Sequence, residues 1–188
     1  GGYTLLELLL VLAILVAIAG LSWPSVNRML EDLTIKEAVE PVRAELSKTR
    51  IRALDAGVTW QFRFEPDGRR YLMVPYEFDE LEADAEIQQQ QLEAFPRMSG
   101  QLPEGLTFVA ASESMMGNEP VTQESVAGLP GESELSGVSW SPPLLFYSDG
   151  AATDAAFDVV SEEKRFQRLT LRALTGAVTV STIQIQVK

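Results

Sequence analysis

Gly2-Tyr3-Thr4-Leu5-Leu6-Glu7-Leu8-Leu9-Leu10-Val11-Leu12 opens the chain, and its reading governs everything downstream. Leu8 to Leu21 continues as an unbroken run of apolar and small residues, and the stretch from Leu5 to Trp23 carries one charge, Glu7. A helix needs roughly 20 apolar residues to span the hydrocarbon core, so a transmembrane helix is expected here. A carboxylate in lipid costs at least ~2.5–3.5 kcal/mol, and such residues usually have a partner and a role. Placement near the end of the span lets Glu7 snorkel and lowers that cost. Two simple readings are open. Ala17-Ile18-Ala19 forms a small-x-small site of the kind that ends a signal peptide, but Glu7 sits inside the apolar region and no basic segment precedes it. A plain membrane anchor explains the hydrophobicity and leaves Glu7 unexplained. The sequence begins at Gly1 without Met, so residues upstream of it are left open.

Helix signals continue past the apolar run. Ile35, Val39, Val42, Leu46, Ala53 and Leu54 recur mostly at three, four or seven residues and mark one apolar face. Glu31, Lys36, Glu37, Glu40, Arg43, Lys48 and Arg52 mostly take the other side. Gly57 is a fitting end signal. One helix from Tyr3 to about Ala56 is therefore expected, with Pro24 and Pro41 bending or interrupting it. A restart at Pro41 is the alternative.

After Gly57 the period changes to two. Val58, Trp60, Phe62 and Phe64 face one way, and Thr59, Gln61, Arg63 and Glu65 the other. Pro66-Asp67-Gly68 reads as a turn, with Arg70 to Val74 the returning strand. Leu81 to Phe95 has helical composition, Leu106 to Ala110 reads as a short strand, and Ser112 to Gly137 as a long loop. Strand patterns resume at Leu144–Tyr147, before the turn Ser148-Asp149-Gly150. They continue at Ala156–Val160, Phe166–Ala173 and Ala177–Val187, with a phase change near Ser181-Thr182 that suggests a bulge.

The net charge is −12. Glu77 to Glu134 holds thirteen acids and one base, Arg97, while the remainder holds fourteen of each. The excess thus sits in an insertion at about 77–137. Glu77, Asp79, Glu80, Glu82, Asp84 and Glu86 lack the glycine and ligand spacing of a calcium loop and read as a solvated face. An acidic surface disfavours nucleic acid, although Lys164, Arg165 and Arg168 could form a local basic patch. Without His or Cys, and without a nucleophile elbow or P-loop, no catalytic constellation is visible. No enzyme activity, cofactor or metal is expected.

The opening stretch closely resembles the processing site and assembly helix of type IV pilins and type II secretion pseudopilins. That resemblance implies cleavage between Gly2 and Tyr3 by a prepilin peptidase and N-methylation of Tyr3. Glu7 then takes the family's glutamate position, Thr4 lies in the same assembly segment, and Pro24 matches a helix-kinking proline. Tyr3 stands where phenylalanine is usual, and Gly1 where a basic residue often is. In a filament, Glu7 would pair with the terminal amine of a neighbouring subunit. Leu46-Ser47-Lys48-Thr49-Arg50-Ile51-Arg52-Ala53-Leu54-Asp55-Ala56-Gly57 is similar to the Arg-x-x-Ala element of the minor pseudopilin GspH/FimT-like branch. So are Leu145-Phe146-Tyr147-Ser148-Asp149-Gly150 and the final hairpin through Leu174-Thr175-Gly176-Ala177-Val178. The acidic middle has no counterpart in the branch.

The resulting expectation is an α+β, pilin-like chain in four parts: the end of a leader (1–2), a transmembrane and assembly helix (3–24), its amphipathic continuation (25–57), and a β-rich periplasmic domain (58–188). The implied role is a minor pseudopilin of the type II secretion pseudopilus, single-pass in the inner membrane. Its implied partners are other pseudopilins or pilins and the peptidase. A minor pilin of a type IV pilus and a membrane-anchored binding domain are the alternatives.

Overall fold

The computed structural model describes residues 4–76, 97–111, 115, 117, 121 and 126–186, except the side chains of Leu21, Ser22, Pro24, Ser25 and Asn27. The expected helix at Leu81–Phe95 and the acids from Glu77 to Glu86 lie outside the described residues. Two compact units emerge, Gly1–Thr34 and Ile35–Lys188.

Helix α1 spans Leu5–Ala56. It runs through both prolines as the one long helix expected, and the alternative of a restart at Pro41 is not what forms. Proline in a helix removes one hydrogen bond and crowds the preceding turn. Here Pro41 is exposed, while Ile35, Ala38, Val39, Val42 and Leu46 are buried on both sides of it. Packing along that stripe carries the helix past the proline. Gly57 follows with φ 65, the left-handed conformation that glycine adopts freely at a helix end. Leu54, expected on the apolar face, is 41 % exposed; Thr49 takes a core position instead, its hydroxyl donating to the Glu45 carbonyl at 2.8 Å.

Within the second unit, two antiparallel sheets form. The first contains β1 (Trp60–Phe64), β2 (Arg70–Pro75), β3 (Met98–Gln101) and β5 (Leu144–Phe146), in the order β3-β2-β1-β5. The second contains β4 (Leu106–Ala110), β6 (Ala155–Ser161), β7 (Arg165–Leu171) and β8 (Val178–Val180), in the order β4-β6-β7-β8, with β9 (Gln184–Ile185) also on β7. A helix packed on antiparallel sheets is the α+β, pilin-like arrangement expected from the sequence. The turn at Asp67-Gly68 ties the sheets together, because Asp67 N–H donates to the Phe108 carbonyl and Phe108 N–H to that of Gly68, both at 2.8 Å. The expected bulge is present. Val180 and Gln184 are four positions apart, while their partners Leu169 and Phe166 are three apart, so the outer strand holds one residue more. Ser181 fills the gap: its hydroxyl accepts the Arg168 N–H at 3.0 Å, and its own N–H donates to the Arg168 carbonyl at 2.9 Å.

An aromatic cluster lies where helix and sheets meet. The Phe157 ring is 5.6 Å from Phe62, 5.1 Å from Phe64 and 5.9 Å from Phe108. Tyr71 borders the cluster at 5.9 Å from Phe62. Burial pushes its phenol above the usual 10.0, and the Glu45 carboxylate pushes the same way. A raised phenol pKa means that the folded chain keeps a proton that the unfolded chain releases. This contribution is complete below pH 10.0 and is lost as pH rises through the folded value. Ultraviolet titration of the phenolate band should show one of the four tyrosines ionising late, together with a fall in stability, and Tyr71→Phe should remove both.

The first sheet is covered on both faces. Gln61 and Arg63 alternate away from the aromatic core, yet they are 4 % and 7 % exposed. The face they share with Leu72 and Val74 is covered by Val126, Leu129, Leu135 and Trp140. The stretch expected as a long loop therefore contains a helical turn, α2 (Glu132–Leu135), and a small apolar cluster of its own. Apolar residues spaced without regular period, among Ser, Gly and Pro, gave no sign of this.

Candidate assembly surface

Thr4 begins the helix. Its side-chain oxygen accepts the Glu7 N–H at 3.2 Å, and its carbonyl accepts the Glu7 and Leu8 N–H groups at 3.1 and 3.2 Å. Thr-x-x-Glu is the spacing of a capping box, in which the first residue satisfies a free N–H and the glutamate sits at the positive end of the helix. That spacing was readable at Thr4 and Glu7, and it adds a local role to the one implied by resemblance. Glu7 is exposed within the chain. Gly2 and Tyr3 lie outside the described residues. Pro24 continues the helix several turns further on, and its side chain lies outside the described residues. Thr4 and Glu7 are thus the two predicted site residues that the fold brings together.

The helix beyond Glu7 is apolar on every side. Leu5 is 77 % exposed and Val11 48 %, with Leu6, Leu8, Leu9, Leu10, Leu12, Ile14, Leu15, Val16 and Ile18 similarly bare. A soluble amphipathic helix hides one stripe and wets the other; a helix that is apolar all round is covered by lipid or by other protein. Trp23, Val26, Met29, Leu30 and Leu33 extend the exposed apolar surface. Among the described residues no helix is long and apolar enough to cross a membrane.

A second arrangement concerns the later sequence elements. Arg50 Nε donates to the Gly150 carbonyl at 3.2 Å. A Cβ on Gly176 would sit 2.8 Å from Arg50 Cδ and 2.8 Å from the Gly150 carbonyl oxygen. The helix end, the turn at Ser148–Gly150 and the turn at Thr175-Gly176 therefore converge on one arginine. Each was marked in the sequence separately; their meeting was not, because a sequence has no signal for which turns touch. Gly176 has φ 58, where an L side chain costs about 1–2 kcal/mol. Gly176→Ala should destabilise the domain by about 2–4 kcal/mol once the steric contact is added, read as a lower denaturation midpoint. Truncating Arg50 in the same chain should recover only part of the loss, because the Gly150 oxygen is main chain.

On β6 and β7, Asp158 and Arg168 pair across the strands with a two-pronged contact of 2.7 and 2.8 Å. The hydrogen bond to Asp158 raises the Arg168 pKa above its ordinary value. Arg168 therefore enters the proposed basic patch already engaged by a carboxylate.

No protein-family model matches the chain, and no curated protein matches it. Two solved structures of the minor pseudopilin EpsH from the type II secretion system of Vibrio cholerae are similar to it in fold. One has a TM-score of 0.47 and 16 % identity over 79 % of this chain and 96 % of that chain. The other has a TM-score of 0.45 and 15 % identity over 82 % of this chain and 97 % of that chain.

Proposed function

We propose that the chain is a minor pseudopilin, a non-enzymatic structural subunit of a type II secretion pseudopilus. The observation that carries this reading is the capped helix start. It holds a lone carboxylate, Glu7, at the head of a helix whose apolar side chains from Leu5 to Ile18 are exposed among the described residues. Before assembly, lipid supplies the cover: the segment from Tyr3 to Pro24 anchors the protein in the inner membrane, with the remaining domain in the periplasm. After cleavage between Gly2 and Tyr3, the same segment packs against other pseudopilins, and protein replaces lipid around it. No cofactor, metal or nucleic acid has a part in this role.

The test is the amino terminus of the mature protein, determined by intact mass and terminal peptide sequencing in cells with and without the prepilin peptidase. A methylated Tyr3 that depends on the peptidase is the expected result. A terminus at Gly20 would mean signal-peptidase release at Ala17-Ile18-Ala19 and would end the proposal. Deleting the gene should then block secretion of exported enzymes while leaving any surface pili intact; the opposite result would assign the subunit to a pilus.

A further inference from the structure

Near its end, helix α1 lays two polar side chains over two thioethers. Met73 on β2 and Met98 on β3 stand opposite each other across the strands. Thr49 Oγ1 lies 3.0 Å from Met73 Sδ, and Arg52 Nη2 donates to Met98 Sδ at 3.3 Å. The two sulfurs differ in their surroundings. Met73 is fully buried, and the one proton of the Thr49 hydroxyl goes to the Glu45 carbonyl. Met98 is half-buried at the start of its strand, and its sulfur faces a guanidinium.

Arg52 has more donors than acceptors around it. Its side chain is 18 % exposed, and Nη1 is buried with no hydrogen-bond partner among the described residues. Glu45 Oε2 lies 3.7 Å from Nη2, close enough for an ion pair and too far for a hydrogen bond. Lys48 Nζ holds the other oxygen of that carboxylate at 2.6 Å. The guanidinium carbon sits 5.8 Å from the centre of the Trp60 ring. A thioether sulfur is a weak acceptor. Arg52 therefore directs one charged donor at a poor partner and leaves another unmet, a state that costs free energy in a buried site.

Oxidation of Met98 supplies the acceptor that the site lacks. With hydrogen peroxide as oxidant, the sulfur lone pair attacks one peroxide oxygen, and the S–O bond forms as the O–O bond breaks. The departing hydroxide takes the proton from the transferred oxygen, which leaves a sulfoxide and one water. Sulfur loses two electrons and the peroxide gains them. In an apolar core the new polar oxygen disrupts packing. Here it arrives beside a cation with a free N–H. We propose that Met98 is an oxidation site at which the Arg52 guanidinium receives the sulfoxide oxygen, so that oxidation fastens β3 to the end of helix α1 instead of loosening the domain. A methionine sulfoxide reductase reverses the step: its dithiol becomes a disulfide and the oxygen leaves as water. This does not depend on the pseudopilin reading.

The test uses the full chain in detergent micelles, carrying Met29→Leu and Met116→Leu. Three methionines remain, of which Met73 and Met115 are 0 % and 2 % exposed. Under hydrogen peroxide, peptide mass spectrometry should find sulfoxide at Met98 roughly tenfold faster than at either of the others. The oxidised chain should unfold at a higher denaturant midpoint, with an unfolding constant roughly tenfold lower, the general scale of a hydrogen bond to a charged group. In Arg52→Gln the same oxidation should lower the midpoint. Arg52→Lys keeps the charge without the two-pronged fork and should fall between the two. Met98→Leu should show no shift on treatment, and the reductase should return the oxidised chain to its starting midpoint. Slower solvent exchange of the Arg52 guanidinium protons on oxidation, followed by NMR, reads the contact directly and needs no variant at position 52. A midpoint that falls equally with arginine and with glutamine there would overturn the proposal, and so would unaltered guanidinium exchange. Sulfoxide forming at Met98 no faster than at Met73 and Met115 would overturn the site itself.

Discussion

Glu7→Ala is expected to leave the chain in the membrane and abolish its incorporation into a filament. The argument starts from solvation. In the isolated chain, Glu7 is exposed at the helix start, where the free N–H groups and the helix dipole favour a negative charge. In the assembly proposed above, the apolar helix leaves lipid and packs among other helices, and the carboxylate loses access to water and headgroups. An unpaired buried charge then costs several kcal/mol. Pairing with the freed ammonium of a neighbouring subunit removes that cost and sets the axial register. Alanine avoids the desolvation but offers no partner, so a neighbour's ammonium is stranded in its place. Glu7→Gln separates the charge from the cap: glutamine can still serve at this position of a capping box, yet it cannot pair with an ammonium. Both variants should fractionate with membranes and be missing from sheared or cross-linked filaments. Thr4→Ala should weaken the helix start by only about 1 kcal/mol and leave some incorporation. Normal incorporation of Glu7→Gln would show that the cap, and not the charge, is what assembly uses.

Phe157→Ala is expected to have the largest effect on stability. Phe157 is 1 % exposed and touches two rings of β1, Phe62 and Phe64, and the Phe108 ring of β4. Truncating a buried phenylalanine removes its transfer free energy and leaves a cavity, together costing about 3–5 kcal/mol. Whole-domain stabilities are about 5–15 kcal/mol, so the loss is a large share. Thermal unfolding should shift down by roughly 6–20 °C. Phe166 is the control. It lies half-exposed on the neighbouring strand with Arg168 stacked at 5.7 Å from its ring. Phe166→Ala should cost about 1 kcal/mol or less. Equal losses from the two substitutions would show that the cluster is not the centre of the fold.

Periodicity carried most of the architecture. The three- and four-residue spacing of Ile35, Val39, Val42 and Leu46 marks a buried stripe, and the alternation of Trp60, Phe62 and Phe64 marks a core-facing strand; both are where the sequence puts them. The phase change after Val180 marks a real extra residue. Local rules failed where a distant segment decides the outcome. Pro41 is a breaker by local chemistry and is overridden by tertiary packing. Gln61 and Arg63 alternate away from the core-facing residues and are nonetheless buried, because their cover comes from residues some sixty or more positions away, with no period to reveal it. Of the predicted site, Thr4 and Glu7 were named through the resemblance, and their capping contact follows a Thr-x-x-Glu spacing that the sequence reading did not use. The convergence of Gly150 and Gly176 on Arg50 was not legible, since each glycine advertises only its own turn.

The order of β1 and β5 in the first sheet has a consequence for how the chain acquires its shape. β1 joins β2 through a short turn, but its other edge pairs Trp60 with Phe146, Gln61 with Leu145 and Phe62 with Leu144. Such contacts between distant residues carry a large loop-closure cost before they return any stabilisation, and folds rich in them form slowly. The hairpin of β1 and β2 thus waits with an open edge until Leu144–Phe146 is available. The helix and that hairpin come first along the chain, and the sheet they belong to closes near its end.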